Sequence, residues 1–393
     1  MVQVLQSVAQ RDALTGGTPA KHVFTFWKGR IALYGTLKAL GIGSGDTVIV
    51  PGYTCAAVPA AVKFAGASSV YADIDPESYC PSLGTYSDAL EAHAHGRVKA
   101  LILQHTYGIP GDITRIAAWA REQGMALIED CAHALGTRYR QDDGSWQEVG
   151  HTGDAAFFSS QWSKPVSTGL GGWLVTSDRS LAERLARFHN QECSAPSFRE
   201  LSLLAGQLTA REIFSSPRWY WSAAEAFRKL SDFGIFVGTN EDGEFEGRMP
   251  EQYAKKMSRL QEWLLRRRLA NQALLARRRN LKLAYDEALH SCGLPTLHVS
   301  ENADPVLLRY PVRVKNKDEV LRLARRRRIE LGDWFNHPLH PREADAEAFG
   351  YRPGFCPEGE RAANEVVNLP LTERTTEKTA REAVDFLKQV AQI

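Results

Sequence analysis

A hydroxyl group, a lysine and several glycines lie close together in one segment of the chain. Ser159 ends a short apolar run, Lys164 comes five residues later, and Gly169, Gly171 and Gly172 lead into a second β-rich run. A lysine in such a loop can reach into a cleft, where burial or a nearby cation lowers its pKa and makes the amine nucleophilic. Because a lone lysine is more often solvated, this interpretation needs support from other segments.

A second segment places an acid and an imidazole just beyond an apolar run. Asp130 follows Met125–Glu129, which has the pattern of a buried strand, and His133 comes three residues later. Open α/β sheets bind ligands at the carboxyl ends of their strands. A carboxylate there can pair with a protonated pyridine nitrogen, and the ring then accepts electrons from a substrate carbanion. The structural alternatives are a helix N-cap for Asp130 and a core histidine for His133.

A third segment has the pattern of an anion-binding helix start. Gly29 opens a helical run and is followed by Arg30. The unpaired N–H groups and the positive dipole end of a helix suit a phosphate, and the Ser159 hydroxyl would be a further donor. Many helices begin with glycine, so this feature has meaning only beside the other two.

The elements that must position these residues alternate between strands and helices. Strands are predicted at Thr47–Val50, Ser69–Ala72, Ala100–Gln104, Met125–Glu129, Ala155–Phe158 and Gly172–Thr176, and helices at Ile31–Leu40, Ala56–Ala65 and Ile113–Gln123. We expect the last two strands to pair with each other. This alternation predicts an α/β fold with a mostly parallel sheet that is covered on both faces.

The rest of the chain predicts a smaller second domain. Further elements are expected at Gln252–Leu289 (one or two long helices), Leu307–Val314 (a strand), Lys317–Arg327 (a helix) and Thr375–Val390 (a helix opened by a capping threonine). We therefore expect a large domain at 1–290, with a mostly helical insert at about 195–243, and a small C-terminal α+β domain at 291–393.

Composition is that of an ordinary globular enzyme. The chain has 393 residues, of which 44% are hydrophobic and 24% charged, and a net charge of +2, so nothing global indicates nucleic-acid binding. Six cysteines without CxxC spacing favour neither a common zinc or redox motif nor a disulfide framework, which suits a reducing cytoplasm. No run is apolar for long enough to span a bilayer, and the N-terminus has no apolar core of signal-peptide type.

Together these segments resemble the DegT/DnrJ/StrS family of sugar aminotransferases, which depend on pyridoxal 5'-phosphate (PLP). The resemblance runs in order over nearly the whole chain and includes Gly41–Pro51, Tyr71–Pro76, His105–Pro110, Arg248 with Met249, and Cys356–Arg361. It implies the PLP fold type I of aspartate aminotransferase and a homodimer with the cofactor at its interface.

The resemblance also implies a role for each site residue. Lys164 would carry PLP as a Schiff base and act as general base, and Asp130 would hold the pyridine nitrogen. The other implied residues are His133, Ser159, Gly29 and Arg30 for the cofactor, and His105, Tyr107, His337 and His340 for the substrate. No metal is expected, because the His337/His340 spacing has no clear further ligands.

The implied reaction moves an amino group, from glutamate as the expected donor, to a keto-sugar carried on a nucleotide or a lipid. Two alternatives stay open. The chain could be a PLP-binding regulatory or sensory protein without turnover, or a PLP lyase or dehydratase. Lys164 speaks against the second alternative, since dehydratases of this family carry histidine at that position.

Four positions depart from the family pattern. Arg30 replaces a small hydroxyl residue, Cys55 an aromatic one, Leu170 an acidic one, and Glu246 an asparagine that often reaches the partner subunit's phosphate. Tyr53 or His133 is the expected substitute for the missing aromatic stacking, and the charge of Glu246 would repel a phosphate.

The insert adds a separate question. Leu201–Val237 contains Trp219, Tyr220 and Trp221 among interspersed arginines. Such a segment could lie on a membrane surface and bring the enzyme to a lipid-linked sugar. The alternative is a lid or an arm that packs against the partner subunit.

Overall fold

A computed structural model describes residues 22–93, 96–214, 243–271 and 273–392 of the chain. Its strands are β1 (His22–Phe26), β2 (Asp46–Pro51), β3 (Thr54–Cys55), β4 (Ser68–Ala72), β5 (Arg97–Gln104), β6 (Ala126–Asp130), β7 (Arg138–Arg140), β8 (Trp146–Glu148), β9 (Ala155–Ser159), β10 (Gly172–Thr176), β11 (Ala303–Asp304), β12 (Tyr310–Arg313), β13 (Leu339–His340) and β14 (Val366–Leu369).

The helices over the same residues are α1 (Gly29–Ala39), α2 (Ala57–Phe64), α3 (Leu83–Glu91), α4 (Ile113–Glu122), α5 (Arg179–Gln191), α6 (Phe198–Phe214), α7 (Arg259–Leu269), α8 (Ala273–Ser291), α9 (Lys317–Arg326), α10 (Pro357–Glu365) and α11 (Glu377–Val390). Short 3-10 turns occur at Thr106–Gly108, Glu244–Glu246 and Glu347–Phe349. Within the described part of the chain, no helix combines the length and the apolar character needed to cross a membrane.

The central sheet has seven strands in the order β1-β10-β9-β6-β5-β2-β4. Pairing is parallel from β9 through β6, β5 and β2 to β4, whereas β10 is antiparallel to both β9 and β1. The expected mostly parallel sheet and the expected pairing of β9 with β10 are therefore confirmed.

Side chains of the buried strands alternate between two helical layers. Val48 and Val50 of β2 belong to the core formed with α1 and α2, whereas Ile49 between them packs with residues of α3 and α4. A strand that is buried on both faces needs apolar residues at every position, and this explains the unbroken apolar run in β2.

One edge of this sheet gathers the segments that were singled out in the sequence. Gln104 ends β5, Asp130 ends β6 and pairs with Gln104, and Ser159 ends β9 opposite Gly172, the first residue of β10. The start of α1 lies against the same edge. A Cβ atom added to Gly172 would lie 2.3 Å from the Cα of Gly29, so this approach of helix to strand requires glycine at position 172.

A third core lies in the C-terminal part of the chain. It joins apolar residues of α8, α9 and α11 with the antiparallel pair β12 and β14, and it also includes Tyr53 and Tyr107. The division into domains at 290/291 stays a prediction. Helix α8 ends at Ser291, and its residues Leu281 and Tyr285 already belong to this third core.

Several boundaries differ from the expectation. The segment Gln252–Leu289 forms two helices, and α7 begins at a capping box in which the Ser258 side chain accepts from Gln261 N. The cap of the terminal helix is Thr376 rather than Thr375, since the Thr376 side chain accepts from Thr379 N. Helix α6 covers the first part of the predicted helical insert, and residues 215–242 lie outside the described residues.

Candidate active site

A pocket at the carboxyl edge of the sheet brings together most of the residues predicted to act on a ligand. Gly29, Arg30, Asp130, His133, Ser159 and Lys164 all line it. They come from the start of α1, the ends of β6 and β9, and the loop between β9 and β10. Three segments that are distant in the sequence thus form one cavity.

Lys164 is a buried amine with an unusual protonation equilibrium. Lys164 lies in the loop after β9, where its backbone N–H donates to Gln161 O over 2.9 Å. Burial lowers the pKa of the Lys164 ammonium to about 8, with the positive charges of Arg309 and Arg30 acting in the same direction and Asp130 opposing them. At pH 7 roughly one such lysine in ten is therefore the neutral, nucleophilic amine.

Asp130 is the carboxylate in the same cavity. It ends β6 without starting a helix, and its Oδ1 accepts from Ala132 N over 2.9 Å, so the helix N-cap alternative is excluded. Burial raises the pKa of this carboxyl to about 6, although the Ala132 hydrogen bond and the charge of Lys164 act in the opposite direction. At neutral pH the group is mostly ionised and suited to hold a cationic partner.

His133 is a neutral imidazole whose tautomer follows from its surroundings. Burial, followed by the charges of Lys164 and Arg309, lowers its pKa well below the ordinary value. Its Nδ1 accepts a hydrogen bond from Tyr107 N over 3.3 Å. The ring proton of the neutral form therefore lies on Nε2, which makes this atom a donor.

One corner of the pocket has the chemistry of a phosphate site. A Cβ on Gly29 would lie 3.2 Å from the Cβ of Ser159, so the Ser159 side chain sits beside the first turn of α1. Lys28 and Arg30 line the same pocket and are both at least nine-tenths buried. A helix start, a hydroxyl and two cations together favour an anion.

An aromatic wall closes the pocket on the side of the C-terminal part. Phe335 lines the pocket, and its ring stacks with that of His133 at 5.6 Å between centroids. Lys164 Nζ and Arg309 Cζ lie 5.2 Å and 4.5 Å from the ring centroid of Trp334. No sequence pattern indicated these aromatic residues, although they lie shortly before His337 and His340.

The backbone of this wall is fixed by hydrogen bonds at each of its polar groups. Trp334 N donates to Asn368 Oδ1, and Trp334 O accepts from the Tyr107 hydroxyl. Phe335 N donates to the Tyr53 hydroxyl, and Phe335 O accepts from Lys317 Nζ. The two tyrosine hydroxyls bond each other over 2.7 Å. Tyr53 and Tyr107 therefore position the wall from behind.

The predicted substrate residues are only partly placed at the pocket. His105 is fully buried, and its two ring nitrogens contact Glu129 Oε2 and Gly111 N. It faces the core and does not line the cavity, and its expected substrate contact stays a prediction. Tyr107 is also fully buried and acts through the wall rather than on a ligand.

The two histidines of the C-terminal segment lie in the loop that includes β13. His340 pairs with Cys55 across the parallel bridge of β13 and β3, beside the pocket lining. Burial lowers the pKa of His340 to about 4, so this ring is neutral. His337 Nδ1 bonds within its own turn at Leu339, and no ligand contact follows from that geometry.

Of the two residues expected to replace the missing aromatic at position 55, His133 lines the pocket and Tyr53 does not. Cys55 lines the pocket, whereas Tyr53 is fully buried behind the wall and does not line the cavity. His133 and Phe335 are the rings that do line it. Glu246 pairs with Arg248, and both side chains are mostly exposed.

His105 also belongs to a cluster with metal-binding residue types. His105, Glu129 and Cys131 place one potential ligand atom each within 4.8 Å of one another. The Glu129 carboxylate accepts from the backbone N–H groups of Gly150, Thr152 and Gly153. These bonds tie the 150–153 loop to β6 and give the carboxylate a structural role.

The complete donor set matches one type of ligand. A nucleophilic amine, a carboxylate, an imidazole donor and a cationic corner surround a cavity with one aromatic side. A planar heterocycle with an aldehyde, a ring nitrogen and a phosphate group would meet each of these partners. Such a ligand would place its phosphate between Gly29 and Ser159 and its ring nitrogen at Asp130.

Comparisons with known proteins agree with this arrangement. The profile of the DegT/DnrJ/EryC1/StrS aminotransferase family matches residues 13–206 and 222–388. GDP-perosamine synthase of Escherichia coli O157:H7 is 37% identical over 171 residues, which cover 44% of this chain and 44% of the synthase. The chain thus spans less than half the length of the curated relatives that match it at 37% and 43% identity.

Two further similarities extend over most of the chain. The pleiotropic regulatory protein of Geobacillus stearothermophilus is 27% identical over 373 residues, which cover 94% of this chain and 85% of that protein. The crystal structure of DesV from S. venezuelae, solved in complex with a ketimine intermediate, has 26% identity and a TM-score of 0.70. The structural alignment covers 94% of this chain and 84% of the DesV chain.

The pKa of Lys164 makes a prediction that needs no ligand. Labelling of Lys164 by an amine-selective reagent should rise with pH, reach half of its maximum near pH 8 and level off roughly one pH unit higher, while exposed lysines continue to gain reactivity. Asp130→Asn should move the Lys164 midpoint downward, because the carboxylate raises the lysine pKa. Mass spectrometry of labelled peptides measures both. A Lys164 profile that coincides with that of exposed Lys99 would contradict the assignment.

Proposed function

Because the chain belongs to the DegT/DnrJ/EryC1/StrS aminotransferase family, we propose that it transfers an amino group from glutamate to a keto-sugar with PLP as its cofactor. The family is PLP-dependent, and the donor set of the pocket fits PLP. The observation that carries the proposal is the buried Lys164 amine beside the Asp130 carboxylate in one cavity. The name of the related GDP-perosamine synthase favours a nucleotide-linked sugar as the acceptor.

Lys164 is the residue that moves protons in this proposal. When bound, PLP supplies an aldehyde carbon and a ring that accepts electrons. Lys164 would hold the cofactor through its amine and, once released, would act as the general base that takes the proton from the donor Cα. In the second half of the reaction the same residue would supply a proton to the carbon of the acceptor sugar.

Asp130 and His133 would hold two different polar groups of the cofactor ring. The Asp130 carboxylate, which is ionised above about pH 6, keeps the proton on the pyridine nitrogen. His133 would stack on the ring or, through its protonated Nε2, donate to the phenolic oxygen. Gly29, Ser159 and Arg30 bind the phosphate and fix the position of the ring.

A regulatory protein without turnover is the second candidate. It is favoured by the relative named pleiotropic regulatory protein, which aligns over most of this chain. The lowered pKa of Lys164 suits both candidates, since a Schiff base to PLP also requires a neutral amine, so turnover with an amino donor is what separates them. A lyase or dehydratase is the third candidate, and the lysine at position 164 argues against the dehydratases of the family.

Glutamate should convert the PLP-loaded protein to its aminated form, with loss of the long-wavelength absorption band, and a keto-sugar should restore the band. Lys164→Ala should slow this conversion at least about a hundredfold, because the proton carrier is gone. Asp130→Asn should retain PLP and still lose most turnover. Lys99→Ala, an exposed lysine on β5, is the control.

The outcomes of this experiment separate the three candidates. A band that glutamate and glutamine both leave unchanged would support the regulatory protein. Release of ammonia without amination of a sugar would support a lyase. Borohydride reduction followed by peptide mapping checks the site, and a PLP adduct on another lysine would overturn the role of Lys164.

We also propose a homodimer, as the family resemblance implies. Helix α7 supports it, because Leu260 and Trp263 are 37% and 54% exposed on one helical face beside Arg267. An exposed apolar stripe of this kind is typical of a subunit contact. Sedimentation should give a dimer, and Trp263→Asp should weaken it, whereas Leu283→Asp, at an exposed leucine of α8, serves as the control. A fully active wild-type monomer would contradict the proposal.

A peripheral membrane contact through the insert is the remaining proposal, and it rests on sequence alone. Residues 219–221 lie outside the described residues. The protein should bind anionic liposomes at low salt, less so at high salt, and less so after Trp219→Ala with Trp221→Ala. An intact protein that ignores such liposomes at low salt would favour a soluble nucleotide carrier. The proposed cytoplasmic location is in keeping with six free cysteines.

A further inference from the structure

Glu244 is a fully buried carboxylate at the cationic corner of the pocket. Its Oε1 accepts a hydrogen bond from Arg30 Nη1, and its Oε2 lies 4.0 Å from Lys28 Nζ. The ring of the next residue, Phe245, has its centroid 5.7 Å from Arg30 Cζ. Lys28 and Arg30, two cations that line the pocket, therefore both contact the same short turn.

The turn that carries Glu244 is itself firmly placed. Gly243 and Gly247 flank it with φ values of 78° and 74°, a conformation that favours glycine. Phe245 O accepts from Asp345 N over 2.9 Å. A buried carboxylate in a fixed turn imposes its position on its partners, because leaving either charge without the other in the interior is costly.

Arg30 keeps its charge in this setting and can serve two anions. Burial lowers the pKa of its guanidinium, but the charge and the hydrogen bond of Glu244 outweigh burial, and the net pKa is raised. A guanidinium has five N–H donors in a planar fork, so one arginine can bond a carboxylate with one edge and a phosphate with another. Glu244 offsets part of the positive charge that Lys28 and Arg30 bring to the pocket.

We propose that Glu244 is a positioning residue, which holds Arg30 and Lys28 as a phosphate grip for PLP within one protomer. This grip takes the place of the small hydroxyl residue at position 30 and of the partner-subunit amide expected at position 246. Glu246, two residues further along the same turn, pairs with Arg248 at the surface and takes no part in it. The proposal rests on the proposed function, since it assumes that PLP occupies the pocket.

The test compares PLP with pyridoxal, which lacks the phosphate. Dissociation constants of both compounds are measured on the cofactor-free full-length protein by absorbance titration. Glu244→Gln should weaken PLP binding about ten- to hundredfold while pyridoxal binding is unchanged, because a charge-assisted contact to the phosphate is lost. Arg30→Met should do the same. Glu244→Gln combined with Arg30→Met should be no weaker than Arg30→Met alone.

Two further variants make the comparison specific. Glu246→Gln is the matched control, because it removes a carboxylate from the same turn and should leave the PLP-to-pyridoxal affinity ratio unchanged. Glu244→Asp keeps the charge and should retain part of the wild-type ratio. If Glu244→Gln does not fold, Arg30→Met and Glu244→Asp still test the grip through the same ratio.

The proposal is overturned by any of three results. Equal losses for PLP and pyridoxal in Glu244→Gln would show a purely structural role. Tighter PLP binding in that variant would show that the carboxylate opposes the phosphate. An unchanged ratio in Arg30→Met would remove Arg30 from the phosphate site. A wild-type protein that binds no PLP would overturn the proposed function as well, whereas normal PLP binding with one of these results overturns the grip alone.

Discussion

Burial of ionisable groups in one small cavity is the constraint on which this site depends. Removing water from Lys164 disfavours its ammonium form, and removing water from Asp130 disfavours its carboxylate, so the two pKa values move toward each other to about 8 and 6. Each group stabilises the charged form of the other and limits the shift. The cavity therefore holds an amine that is partly neutral and a carboxylate that is mostly ionised at the same neutral pH, which are the states needed for proton transfer at a cationic ring.

The central sheet places these groups close together, because each of them lies at or just beyond the end of a strand. Parallel strands end at a common edge, so Gln104, Asp130 and Ser159 are neighbours because β5, β6 and β9 pair in register. The antiparallel return of β10 then brings the loop that carries Lys164 back to that edge. Since the strands are buried on both faces, their positions are set by packing, and the site inherits that rigidity.

The sequence predicts the part of the site that is local to strand ends. Asp130 and Lys164 each stand beside an apolar run whose strand character is evident, so their place at the edge follows from the parallel sheet. Phe335 lines the pocket and Glu244 contacts its residue Arg30, both from distant segments, and no local sequence pattern indicates these tertiary contacts. His105 also follows a strand end, but its ring contacts buried Glu129 instead of lining the pocket, a tertiary contact that the local sequence does not indicate.

Two departures from the family pattern, Arg30 and Leu170, form a single feature with Glu244 in three dimensions. Arg30 and Leu170 line the same pocket, and Glu244 contacts Arg30. An arginine at position 30 adds a buried charge, and a leucine at position 170 supplies no acid to balance it. Glu244 supplies the carboxylate from another segment, so the charge balance is moved rather than lost. The substitutions at positions 30 and 170 are therefore compatible with a phosphate site once Glu244 is taken into account. They do not argue against a PLP-binding pocket.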